Sequence, residues 1–114
     1  MTEIVNTDIC IIGAGSGGLS VAAGAVQMGA DVVLLERADM GGDCLNTGCV
    51  PSKALLAAGK AAKAAGGAPA MGITAGAEPA IDFAAVKAHV ADVIAGIAPH
   101  DSVERFTSLG VKVI

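Results

Sequence analysis

The residues best suited to chemistry are Cys44 and Cys49, spaced C-x4-C in the run Cys44-Leu45-Asn46-Thr47-Gly48-Cys49. Two thiols this close can bridge if the local backbone brings their Cβ atoms within about 4 Å. A bridge across so short a loop restricts the unfolded chain little, so stability is a poor reason for the pair. Reactivity is a better one. Cys49 lies just before Pro51, and proline is well placed in the first turn of a helix. A helix N-terminus favours an anion, and Lys53 adds a positive charge nearby. Both features favour the thiolate over the thiol. A thiol that ionises easily is also the better leaving group in disulfide exchange. An incoming thiolate therefore does best to attack Cys44 and expel Cys49. The expectation is a division of labour: Cys44 exchanges with substrate, and Cys49 carries the stabilised thiolate.

The bland alternatives use the same residues. Two inert thiols would show the same spacing. A zinc site would need two further ligands. His89 and His100 lack ligand spacing and read as surface or helix-end residues, so no metal site is expected. Cys10 stands between isoleucines in a strand-like run and reads as a small buried hydrophobe.

A second constellation lies upstream. Gly13-Ala14-Gly15-Ser16-Gly17-Gly18 matches G-x-G-x-x-G. A lone match is weak, and the motif needs a strand before it and a helix after it. Given that context, Gly13 permits a tight turn, Gly15 lets backbone approach a pyrophosphate, and Gly18 lets the helix lie close to the strand. Ser16 stands at the helix mouth, where free N–H groups and a partial positive charge meet phosphates. Glu36 follows Gly18 by 18 residues, where an acid accepts hydrogen bonds from a ribose diol. A carboxylate there repels a 2′-phosphate, which disfavours NADP and leaves FAD and NAD open. Without a ligand, the same glycines would merely connect a strand to a helix.

These residues need elements to position them. Residues 8–12 are a short Ile-rich run that fits a buried parallel strand. Residues 18–28 place Leu19, Ala22, Ala23 and Val26 on one helix face, with Gly29 as the C-terminal cap. Residues 31–36 are a second buried strand, completing a βαβ unit. Residues 40–50 read as a loop, and 52–65 as a helix. Residues 66–79, rich in Gly, Ala and Pro, read as another loop. Asp82 is an N-cap for a helix whose stripe runs Phe83, Val86, Val90, Val93, Ile94, Ile97. A short helix over 101–108 and a third strand over 111–114 close the chain. The fold class is α/β, a Rossmann-like parallel sheet. A domain rarely ends on a bare strand, so further elements are expected beyond it.

Composition bounds the function. The 114 residues suffice for one small domain. With 54% apolar residues the chain is no disordered segment, yet no run approaches a transmembrane length. A net charge of −4, two Phe and no Trp or Tyr leave neither a basic footprint nor a stacking platform for nucleic acid. The polar, acidic N-terminus is no secretory signal. The expected setting is cytoplasmic, and three cysteines in such a chain argue against a structural disulfide framework.

Taken together, Gly13–Gly18, Glu36 and the run Gly41-Gly42-Asp43-Cys44-Leu45-Asn46-Thr47-Gly48-Cys49-Val50-Pro51-Ser52-Lys53 resemble the pyridine nucleotide-disulfide oxidoreductases. That family includes dihydrolipoyl dehydrogenase, glutathione reductase and mercuric reductase, and the likeness is strong over residues 8–60. It implies FAD on the first βαβ unit and a redox-active Cys44–Cys49 disulfide beside the flavin. Cys44 would be the interchange thiol and Cys49 the charge-transfer thiol. Gly42 would line the pyrophosphate and Lys53 would approach the flavin edge. Asp43 departs from the pattern, since the family commonly has a Thr there that contacts FAD, and that contact is not carried over. The Pro51-Ser52-Lys53 ending leans toward dihydrolipoyl dehydrogenase and mercuric reductase. Residues 1–114 would then form the first part of an FAD-binding domain. The NAD(P) and dimerisation domains, and the partner's acid/base pair, would lie elsewhere in a homodimeric protein. Its substrate would be a disulfide, a dithiol or a metal ion, and the isolated chain is not expected to turn over. The competing readings are a dinucleotide-binding or interaction module with idle cysteines, and a short NAD-dependent dehydrogenase. The latter would lack a catalytic tyrosine.

Overall fold

A computed structural model describes residues 2–114. Its centre is a three-stranded parallel sheet of order β1-β2-β5, with β1 at Ile9–Ile12, β2 at Val32–Leu35 and β5 at Lys112–Val113. β1 runs in register with β2 from Ile9 opposite Val32 to Ile12 opposite Leu35. The apolar, β-branched strands suit a parallel ladder. The flanking backbone extends it, with Glu36 N–H donating to Ile114 and Ile114 N–H to Leu34.

Helix α1 (Ser16–Gln27) and helix α5 (Val103–Ser108) supply the core. Leu19 and Ala22 of α1, Phe106 of α5, and Val32, Leu34, Ala14 and Val111 form one buried cluster. α1 closes at Gly29, whose φ of +88° is the left-handed cap conformation. Ser102 caps α5 by accepting the Arg105 N–H at 3.1 Å.

The face of the sheet opposite the core is covered at Val33 of β2 but open along β1. Cys10 and Ile12 pair in register with Val33 and Leu35, on the face opposite the core. Ile12 is 86% exposed and Cys10 is exposed too. This corrects the expectation that β1 is fully buried and that Cys10 is a core residue. The isoleucines around Cys10 describe a strand, but a strand's two faces can meet different surroundings.

The other departures are local. The 40–50 stretch is not a plain loop. It holds a short helix α2 (Gly42–Asn46), and helix α3 spans Cys49–Ala65, beginning three residues before the expected Ser52. Residues 66–79 contain a small antiparallel pair, β3 (Gly67–Ala68) and β4 (Ile73–Thr74), around a 3₁₀ turn at Pro69–Met71. Helix α4 (Phe83–Ile97) starts where expected, with Asp82 Oδ1 accepting the Ala85 N–H at 3.1 Å. Its apolar stripe is only half covered. α4 packs chiefly on α3, no residue of it is fully buried, and Phe83 is 60% exposed. The molecule is elongated, 68 × 28 × 19 Å.

Two glycines of α1 separate packing from propensity. A Cβ on Gly18 would stand 1.9 Å from the Gly13 carbonyl oxygen, whereas one on Gly24 would meet nothing within 4 Å. Gly18→Ala should therefore destabilise by about 2–3 kcal/mol, while Gly24→Ala should stabilise by about 0.5–1 kcal/mol. Thermal unfolding followed by circular dichroism checks both; equal effects would contradict the close helix–strand packing.

Candidate active site

The site is built on the turn between β1 and α1. Gly13 has φ +101°, and its N–H donates to Leu35 at 2.8 Å, so the chain leaves the sheet through a conformation that favours glycine. Gly15 is the N-cap of α1 and makes no side-chain cap bond; the first turn of the helix carries no acid. The leading N–H groups, beginning at Ser16, thus face outward without a side-chain acceptor. Nothing lies within 4 Å of where a Cβ on Gly13 or Gly15 would be. This is an open backbone cradle at a helix N-terminus, suited to an anion such as a pyrophosphate.

Glu36 reaches that cradle directly. Its Oε2 accepts the Ala14 N–H at 2.6 Å, and its Oε1 accepts the Ala38 N–H at 2.8 Å. These bonds stabilise the charged form, the one from Ala14 most of all, and hold the carboxyl below its ordinary range. Sequence reasoning placed Glu36 near a ribose but missed its grip on the turn, a contact 22 residues apart along the chain.

The cysteine segment is tied to the same turn. The Gly41 N–H donates to the Ala14 carbonyl at 2.8 Å. Gly42, at φ +58°, lies so close that a Cβ on it would be 2.8 Å from the Gly15 Cα. Asn46 binds the loop from inside: its Nδ2 donates to Met40 at 3.1 Å and to Gly42 at 2.9 Å. Gly48 joins α2 to α3 where a Cβ would be 2.8 Å from the Asp43 carbonyl oxygen. Neither Asn46 nor Gly48 was singled out from the sequence, although both lie within the quoted run. Their signal was spacing relative to the cysteines.

α2 carries Cys44, and Cys49 is the first residue of α3. Both are unbonded thiols, Cys44 half-buried and Cys49 exposed. The Cys44 thiol is pushed up, chiefly by the neighbouring Cys49 side chain and then by burial; the Cys49 backbone N–H and, less, the positive charge of Lys53 act in the opposite direction. The structure therefore brings together Gly13, Gly15, Ser16, Gly18, Glu36 and Gly42 at the cradle, with Cys44 and Cys49 on the segment that follows Gly42 and Lys53 near Cys44. His89 and His100 are exposed on α4 and in the turn after it. Among the described residues, no cluster of His, Cys, Asp or Glu could hold a metal ion, and no helix is long and apolar enough to cross a membrane.

Residues 7–112 match the pyridine nucleotide-disulphide oxidoreductase family. A dihydrolipoyl dehydrogenase of Haloarcula marismortui is 48% identical over 77 residues, covering 68% of this chain and 16% of the relative. For a dihydrolipoyl dehydrogenase of Bacillus subtilis the identity is 44% over 90 residues, 79% of this chain and 19% of that one. A mercuric reductase of Streptomyces lividans is 49% identical over 82 residues, 69% of this chain and 17% of the relative. The Cu(II) complex of the HOCl-induced flavoprotein disulfide reductase RclA from Escherichia coli shares the fold. It aligns with a TM-score of 0.69 at 22% identity, over 92% of this chain and 21% of that structure. The chain thus spans less than a fifth of the length of these curated relatives.

The Glu36 contacts have a pH consequence. A carboxyl whose folded pKa is depressed stabilises the fold above its unfolded value, and that contribution is lost as pH falls through the folded value. Melting temperature should therefore fall as pH drops below a carboxyl's ordinary 4.5. In Glu36→Gln this part of the decline should be absent; a variant with the same acid profile as the parent would show that the Ala14 contact does not form.

Proposed function

This chain belongs to the pyridine nucleotide-disulphide oxidoreductase family, and on that premise we propose that it is the N-terminal FAD-binding part of a dithiol–disulfide oxidoreductase. The family is FAD-dependent. The cradle fits such a dinucleotide: glycine backbone open above Gly15, uncapped N–H groups at α1, and a carboxylate at Glu36. Gly13, Gly15, Ser16, Gly18 and Gly42 would hold the pyrophosphate region, Glu36 the ribose, and Lys53 the flavin edge. FAD, when bound, supplies two-electron transfer between a pyridine nucleotide and the sulfur pair.

The observation that carries this reading is the docking of the segment bearing Cys44 and Cys49 on the cradle, through the Gly41 N–H bond to the Ala14 carbonyl and the close approach of Gly42 to Gly15. With both thiols reduced, Cys44 attacks a substrate disulfide. A mixed disulfide forms, and the Cys44 proton passes to the departing thiolate. Cys49 then attacks the Cys44 sulfur; the internal disulfide forms, and the Cys49 proton passes to the second substrate sulfur as it leaves. Two electrons pass from the pair to the substrate, and a dithiol substrate runs the sequence backward. A soft metal ion held by the two sulfurs is the alternative substrate class, favoured by the similarity to a mercuric reductase. The full-length protein would act as a homodimer.

The test is direct because the chain has no Trp or Tyr to obscure flavin absorbance. The purified chain should be yellow, and Cys44 and Cys49 should titrate with a thiol reagent only after reduction. Cys44→Ser or Cys49→Ser should abolish that redox dependence while leaving Cys10 reactive. Flavin colour with a spectrum and thiol count that ignore reductant would instead identify a binding module with idle cysteines.

A further inference from the structure

We infer that Asp43 is a specificity residue of the nucleotide cleft, favouring a dinucleotide over nucleoside di- and triphosphates. The inference rests on the reading of the cradle as a dinucleotide site. A cleft of about 290 Å³ opens between the segment after β2 and helix α2, and among its lining residues are Glu36, Arg37, Asp39, Gly42, Asp43 and Asn46. Its charged side chains are three carboxylates against one guanidinium. The Glu36 carboxylate is already engaged by two backbone N–H groups. Asp43 is different: it is exposed, and no side-chain hydrogen bond or ion pair engages it among the described residues.

Its place along the backbone gives that charge a direction. Asp43 directly follows Gly42, whose Cα is packed against Gly15 at the mouth of α1. The first turn of α1 carries no charged side chain, so only the helix's own N–H groups and dipole oppose Asp43 there. A ligand phosphate in the cradle would therefore lie well within a screening length of this carboxylate, which is about 10 Å at 0.1 M salt. Repulsion grows with the charge on the ligand. In a dinucleotide each phosphate is closed by one ester and one anhydride bond, and each carries one charge. A nucleoside di- or triphosphate ends in a phosphate with a further ionisable oxygen, so the same carboxylate penalises it more. Arg37 and Asp39, the other charged residues of the cleft, are adjacent in sequence to Ala38 and oppose each other in sign.

FAD binding is measured by the change in flavin fluorescence, and ADP and ATP by their displacement of it. In Asp43→Asn, ADP affinity should rise about fivefold at low ionic strength, ATP more, and FAD by about twofold or less. The differences should shrink at high salt. Asp92→Asn, which removes the same charge from an exposed position on α4 outside the cleft, should change the ADP-to-FAD ratio less. Circular dichroism should show both variants folded, since neither side chain makes a hydrogen bond. An ADP-to-FAD ratio unchanged in Asp43→Asn would overturn the inference, as would equal effects of the two substitutions. A parent chain that binds no FAD at all would instead bring down the dinucleotide reading, and this inference with it.

Discussion

The backbone of Ala14 is the joint on which the site depends. Its N–H is taken by the Glu36 carboxylate and its carbonyl by the Gly41 N–H, and the residue itself is 0% exposed. A buried backbone group left unpaired is costly, so both partners are held firmly. The glycine turn is thereby pinned to two segments more than twenty residues further along the chain: the end of β2 and the loop leading to the cysteines. The contacts between glycines do the rest. Gly18 lies against Gly13, and Gly42 lies against Gly15, at distances that exclude a side chain. The glycine turn and the segment carrying the thiols lie together because backbone meets backbone there.

Much of this was legible in the sequence where the cause is local. The glycine turn, α1, β2 and the Asp82 cap follow from spacing, glycine conformation and short-range hydrogen bonds. α2 was missed because five residues are too few to show a helical period, and because its glycine-rich start reads as loop. The early onset of α3 at Cys49 was hidden by Pro51, which marks a first turn without fixing which residue opens it. Cys10 was misjudged for a different reason: local pattern identifies a strand, but whether a face is covered depends on elements elsewhere. The Ala14–Glu36 contact and the Asn46 bonds to its own loop depend on tertiary placement, which spacing alone did not supply.

The layout also separates two kinds of packing. The sheet, α1 and α5 share one core, whereas α3 and α4 lean chiefly on each other and keep much of their apolar surface open. The thiol pair sits at the junction between them, with Cys44 on α2 and Cys49 at the first turn of α3. Movement of the α3–α4 pair would therefore be felt first at the sulfurs, and the Ala14 joint resists such movement on the cradle side.

The central claim is that nucleotide cradle and thiol pair form one site. The most direct measurement is the rate at which each cysteine is alkylated, followed by mass spectrometry with and without FAD. Cys10, exposed on the uncovered face of β1, serves as the internal reference. Saturating FAD should slow alkylation of Cys44 and Cys49 together while leaving Cys10 unchanged. If bound FAD leaves the rates at Cys44 and Cys49 unaltered, the cradle and the sulfurs are separate features and the account is wrong.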